Sequence, residues 1–318
     1  MSVHSHNHSF MTIHDFHEHS HVGWDNSLKP IAEVDSGQTV SFEIVESSGG
    51  QFTKHSTVED VKNMDFSKVN PTVGPLYIKG AEPGDTLEIE MMEFRQLDWG
   101  WTALIPGFGL LADEFKEPAI KIFDLKRENT TEFLDGINLF TKPFPGTMGV
   151  ALPEDGLHSV VPPRKNGGNM DIRHLTKGAK LYLPVWVEGA LFSIGDTHAA
   201  QGDGEVCGTA IEASMETSLK FKLHKGKTIQ EPRFEIPGPP TPEADSRGYY
   251  VTTAHGEDMF KASQNAIRYM IEHLVSEYRM SEQDAYMLCS VAVDLKINEI
   301  VDAPNWIVSA FLPNAIFK

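Results

Sequence analysis

Five side chains able to do acid–base or metal chemistry crowd into one short stretch, Gly195 to Cys207: Asp196, His198, Asp203, Glu205 and Cys207. If Ala199 to Gly202 forms a four-residue loop, the flanking arms pair as a hairpin with His198 opposite Asp203 and Asp196 opposite Glu205. Opposed and alternate strand residues share a face, so one face collects all five. Three carboxylates packed there repel one another, and a buried carboxylate needs a compensating charge. A divalent metal or a nearby Arg supplies it. Zinc takes His and carboxylate ligands and keeps a position open for water, whereas calcium prefers more oxygens, so the residue mix leans to zinc and leaves calcium open. The competing readings are a solvated acidic loop, and a Cys207 thiolate nucleophile activated by His198. A small apolar role inside a strand is the plain reading of Cys207.

Three other clusters carry candidates. In Asn169 to His174, the residues Asn169, Asp171 and Arg173 alternate and share a face if extended, offering an amide, an acid and a fixed cation. Asp171 is expected as a metal ligand or general base, Asn169 as a substrate contact, and Arg173 equally as an ion-pair partner. In His17 to Asp25, histidines two apart on a strand can chelate one ion, and His21, beside Gly23, is the member expected to be built into the fold as a metal ligand. Gly107 to Phe115 offers Phe108 to a substrate and Glu114 either to the pocket or to a plain acidic turn. The density of Gly near these groups, Gly202 among them, suits close backbone approach to a substrate and backbone N–H groups aimed at an oxyanion.

The chain has 318 residues and a formal net charge of -18, so phosphate backbones and anionic membrane surfaces are repelled and nucleic acid is a poor partner. No apolar run is long enough for a membrane span, and the His-rich start is unlike a signal peptide. With two cysteines, Cys207 and Cys289, there is no disulfide framework, and a cytoplasmic location is expected. Seven of the fourteen histidines fall in the first 21 residues. They read as a leader, residues 1–20, that is either solvated or a metal-storage device.

The elements that must position these groups are mostly strands. Thr39 to Ile44, Thr86 to Met92, Leu181 to Val187 and Ser218 to Leu223 alternate, and the first three follow tight Gly-containing turns. The run Leu181 to Ile194 is strongly apolar and strand-like. Trp99 to Gly168 is dense in Gly and Pro and is expected to form ordered loops joining short strands. Helix periodicity appears late, over Asp258 to Tyr278 and from Ser281 to about Val293. The expected fold is therefore mainly β, of the α+β class: a β-sandwich or barrel-like body over residues 21–228, with a smaller C-terminal α/β part over 229–318 whose two or three helices pack on it.

Several motifs in order, Val34 to Gly37, Asn70 to Pro75, Gly80 to Leu87, Ile105 to Gly109, Pro143 to Gly149, Gly167 to Asp171 and Gly195 to Glu212, make the chain resemble the acetamidase/formamidase family, densely over residues 19–225. That resemblance implies hydrolysis of a short amide to carboxylate and ammonia, a largely β fold, homo-oligomeric assembly and, in some members, zinc. Some relatives open lactams. The His-rich leader departs from the family pattern, so no ligand role carries over to His4 through His19. Joined to the residue reading, it gives a metal held among His21, Asp171, Asp196, His198 and Glu205, with Glu205 or Asp171 as general base.

Overall fold

The computed structural model describes residues 10–13 and 18–318, so five of the leader histidines, His4, His6, His8, His14 and His17, lie outside the described residues. Two large sheets form the body. The first has six strands in the order Phe10–Ile13, Thr39–Ile44, Met215–His224, Thr86–Gln96, Lys180–Pro184 and Arg233–Glu235. Its alternating sequence turns Val40, Phe42, Leu87, Ile89, Leu219 and Phe221 inward. The second sheet has nine strands, with Phe192–Ala200 at its centre between Phe144–Gly149, Thr72–Ile78 and Ile211–Glu212. Every residue of Phe192–Ala200 is buried, as expected of a strand covered on both faces. Between the sheets lies one continuous apolar core, with Phe192 and Phe221 in edge-to-face contact at 5.0 Å.

The apolar run Leu181 to Ile194 is not one strand. It divides into Lys180–Pro184 in the first sheet and Phe192–Ala200 in the second, and Gly189, Ala190 and Leu191, all at positive φ, turn the chain between them. The corner has a local mark in Glu188 and Gly189, an exposed acid and a glycine inside the apolar run.

The C-terminal part has a three-stranded antiparallel sheet, Tyr249–Gly256, Trp306–Pro313 and Asp294–Glu299, with the helices Met259–Tyr278 and Glu282–Ala292. Both helices start where capping chemistry places them: Asp258 accepts from Phe260 and Lys261 N–H, and Ser281 accepts from Asp284 N–H. This part shares a core with the body, in which Ile267, Met270, Leu274 and Leu288 pack with Leu111, Phe123, Val206 and Cys207. Among the described residues, no helix is long and apolar enough to cross a membrane.

Because Phe221 fills the space between the sheets, Phe221→Ala is expected to cost about 3–5 kcal/mol of unfolding free energy, read by urea titration.

Candidate active site

The site sits at the end of Phe192–Ala200, and its centre is His198. A buried Gln201 side chain sets that imidazole. The Gln201 amide donates to the Asp171 carbonyl at 2.7 Å, which leaves its oxygen to face His198 Nδ1 at 2.9 Å. A carboxamide has one donor end and one acceptor end, so Nδ1 must carry the hydrogen and Nε2 is the ring's variable position. Nε2 points at Asp196 Oδ1, 3.0 Å away, with Glu212 Oε2 at 3.3 Å and Glu205 Oε1 at 4.0 Å. Glu212 Oε2 and the buried Asp171 Oδ1 have no hydrogen-bond partner.

Four carboxylates therefore surround one imidazole. Among the described residues, His198 is the only cationic partner within 4 Å of Asp196, Glu205 and Glu212, and Asp171 has none. Burial alone would strip the His198 charge, but Glu212 and Asp196 outweigh it and hold the imidazole well above its ordinary range. Asp196 is shifted the other way: His198 overrides its burial and keeps the carboxyl below the usual range. Burial raises Glu205, with the charges of Asp171, Glu212 and Asp196 added to it. Burial also raises Glu212, with Asp196 adding and His198 opposing, and pushes Asp171 up to about 7, helped by Asp196 and Glu212.

Backbone geometry makes this crowding possible. Asn70, Asp171, Asp196 and Glu205 all adopt positive φ, between 43° and 56°, a region that costs a non-glycine residue roughly 1 kcal/mol or more. Asn70 donates to Asn169 Oδ1 at 3.0 Å and to Asp196 Oδ2 at 3.3 Å, and Thr147 donates to Asn169 Oδ1 at 2.7 Å. Across the cluster, Gly146 clears the space: a Cβ there would meet Asp171 Oδ1 at 2.6 Å, His198 Cε1 at 2.7 Å and Asp196 Oδ2 at 2.9 Å.

This donor set fits a divalent cation. Ligand atoms of Asp171, Asp196 and His198 lie within 4.8 Å of one another, as do those of His198, Glu205 and Glu212. Two buried carboxylate oxygens lack donors, and the Nε2 proton occupies the position a cation would take. Above the cluster opens a pocket of about 380 Å³ lined by Phe108, Val161, Asn169, Asp171, Gln201 and Glu205, among others.

Several expected site residues lie elsewhere. His21 stands on the strand Ser20–His21, beyond Thr72–Ile78, where Nδ1 donates to Gly23 O and Nε2 accepts from Ser193 Oγ; both nitrogens are engaged and it joins neither ligand group. Glu114 pairs with Arg268 at the surface. The Cys207 thiol is buried against Ala103 and Thr209, and burial raises its pKa. Gly202 is packed against Val293, where a Cβ would come within 2.1 Å of the carbonyl, and its N–H goes to Ser290. Arg173 pairs with Asp294 instead of facing the site, because the left-handed turn at Asp171 breaks the alternation. Phe108 and Asn169 do line the pocket.

The expected hairpin does not form. Phe192–Ala200 pairs His198 with Glu212, and residues 202–208 make two successive tight turns, Gly202 to Glu205 and Glu205 to Gly208. Sequence reading consequently missed Glu212, Gln201, Asn70, Thr147 and Gly146. Glu212 did leave a signal, a lone acid between Ile211 and Ala213 in an apolar stretch, and Asn70 left one in its αL-tolerant residue type.

The Acetamidase/Formamidase family profile matches residues 9–160 and 153–318. A formamidase of Methylophilus methylotrophus is 30% identical, over 94% of this chain and 89% of its own. Among solved structures, a gamma lactamase from Delftia acidovorans superposes with a TM-score of 0.89 at 26% identity, covering 98% of this chain and 94% of that one. An acetamidase from Bacillus halodurans gives 0.67 at 30% identity, covering 96% and 97%.

Two predictions follow from the crowding. Gly146→Ala should lower turnover by about 100-fold or more by displacing Asp171, His198 and Asp196, with the circular dichroism spectrum unchanged. In chelated protein, the raised Asp171 pKa stabilises the fold while the group is protonated, and that contribution is lost as pH rises from about 4 through about 7. Asp171→Asn should therefore flatten the fall in Tm between pH 5 and pH 8, measured by scanning calorimetry with chelator present.

Proposed function

The chain belongs to the acetamidase/formamidase family and is an amidohydrolase of short linear amides, and on that premise we propose that Glu205 activates the attacking water in a site whose carboxylates and imidazole would hold a divalent cation. The observation that carries this reading is the buried cluster of four carboxylates around a single imidazole of fixed tautomer, at the floor of a pocket of ligand size.

His198, Asp196 and Asp171 would hold the cation, with Glu212 beneath them, and the imidazole among the donors favours zinc over calcium. When bound, such an ion lowers the pKa of water toward about 7 and polarises a carbonyl. The protein's own residues do the rest. Gln201 keeps Nδ1 protonated, so that Nε2 stays directed at the reacting centre. Asn70 and Thr147 keep Asp196 and Asn169 in place. Glu205 is the most accessible of the acids near Nε2, its side chain 16% exposed against 6% for Asp196 and 3% for Glu212, and it lines the pocket. It is therefore the general base: it takes a proton from the attacking water and passes it to the amide nitrogen, so that the C–N bond breaks and ammonia leaves. Its elevated pKa suits a group that must hold and then release that proton.

A second reading is lactam opening, favoured by the higher TM-score to the gamma lactamase than to the acetamidase. The bond broken is the same, and the amine remains tethered to the product.

Glu205→Gln should lower kcat on acetamide by about 10²–10⁴-fold, whereas Cys207→Ser should leave it within a few fold. Exhaustive chelation should abolish ammonia release and zinc should restore it; full activity in chelated protein shown to contain no metal would sink the cation-assisted route.

A further inference from the structure

Beside the carboxylates lies a second chamber of about 110 Å³, which shares Phe108, Val161, Asn169 and Glu205 with the active-site pocket and is lined on one side by Asp196, Glu205 and Glu212. The opposite wall is apolar. Met64, Trp101 and Ile105 form its buried floor, while Phe66, Phe108 and Val161 stand at the rim and are exposed. Trp101 is locked in place. Its indole N–H donates to the buried Glu46 at 2.7 Å, Phe52 packs edge-to-face on it at 4.7 Å, and across the sheet it is paired with Glu212. The hydroxyls of Ser48 and Thr209, which also line the chamber, donate to Glu46 and to the Ala103 carbonyl. They hold that wall together, and the chamber's unpaired polar atoms, Asn70 Oδ1 and Glu212 Oε2, lie with the carboxylates, Asn70 being bonded to Asp196.

We infer that this chamber is the acyl subsite, and that the preferred substrate is a neutral amide whose acyl group is an apolar chain or ring of roughly three to five carbons, larger than formyl or acetyl. The inference rests on the amidase reading and adds to it the substrate class. Size is the first argument. A cavity admits a water once it has about 10–15 Å³ of probe space, so 110 Å³ holds several heavy atoms. The one or two carbons of formyl and acetyl would leave most of it open to water. Chemistry is the second argument, because an apolar floor whose Trp101 is held by Glu46 gains from burying methylenes, and the unpaired polar atoms that line the chamber, Asn70 Oδ1 and Glu212 Oε2, belong to the carboxylate cluster and not to that floor. Charge is the third. The adjoining wall is acidic, and no Lys or Arg lines the chamber, so an acyl group ending in a carboxylate is repelled.

The test is ammonia release by the zinc-supplemented enzyme from formamide, acetamide, propionamide, butyramide and valeramide, with succinamate as a charged competitor of butyramide's length and a five-membered lactam followed by ring opening. The expected result is that kcat/KM rises about fourfold or more per added methylene as far as butyramide. Succinamate should be at least 100-fold poorer than butyramide. Met64→Trp, which fills the floor, should lower the butyramide-to-acetamide ratio at least tenfold. Val161→Phe, at the exposed rim and harmless to the core, should lower it in the same direction. A ratio that is flat or falls with chain length, while acetamide is still turned over, overturns this inference and leaves the amidase reading standing. Release of ammonia from none of the amides, with the lactam also left intact, overturns both.

Discussion

A carboxamide has a donor end and an acceptor end, and at Gln201 that asymmetry governs the whole site. Because the Asp171 carbonyl takes the amide N–H, the oxygen must face His198, and Nδ1 must keep its hydrogen. Nε2 is then the only ring position free to exchange a proton for a cation, and four carboxylates converge on it. Had Gln201 been free to flip, the ring could present either nitrogen, and the acids around Nε2 would face an undefined charge. The link is also mechanical: Gln201 joins the strand carrying Asp196 and His198 to the loop carrying Asp171, so two ligand-bearing segments are held by one side chain.

That arrangement stores unfavourable terms that the rest of the fold must hold in place. Positive φ at Asp171, Asp196, Glu205 and Asn70 is local strain, and partly unpaired buried acids oppose folding as they ionise. Rigidity comes from two sides. Phe192–Ala200 is hydrogen-bonded to neighbouring strands and buried along its length. The loop that follows is fixed from behind by the helix Glu282–Ala292, where Ser290 receives the Gly202 N–H at its carbonyl and the Cys207 N–H at its hydroxyl, and Tyr286 binds both Leu111 and Val206. The C-terminal part thus supports this loop, Asp294 included, which accepts from the Asp203 N–H, and none of its acids joins the cluster around His198.

What the sequence made legible follows from this division. Elements stabilised by their own periodicity were readable: Thr39–Ile44 matches its expected bounds, and both long helices start at the capping residues Asp258 and Ser281. Asp171, Asp196, His198 and Glu205 were readable as chemically apt residues, and the structure brings all four together. The contacts among them were not readable. A hairpin across Ala199 to Gly202 satisfies local turn rules, yet the strand that pairs with His198 arrives at Glu212, after two turns stabilised by helix contacts some 80 residues away in sequence. Asp tolerates left-handed φ without requiring it, so the turn at Asp171 is set by tertiary contacts, and alternation wrongly placed Asn169, Asp171 and Arg173 on one face. His21 had the right type and neighbourhood, but its nitrogens are taken by Gly23 and Ser193, a fact set by strand pairing alone.

The charge balance of the site also constrains what it can turn over. Four acids and one neutral imidazole leave a net negative charge that a single divalent ion would reduce without reversing. A neutral amide enters such a site without electrostatic opposition. Hydrolysis then creates a carboxylate beside Glu205 and Glu212, and repulsion favours its departure. The same field would bind a cationic substrate too well and an anionic one too poorly. Selection among neutral amides is therefore left to shape and apolar contact, which is the part of the pocket built by Trp101, Ile105 and Phe108 and not by the ligands. Charge chooses the substrate's class, and the apolar wall chooses within it.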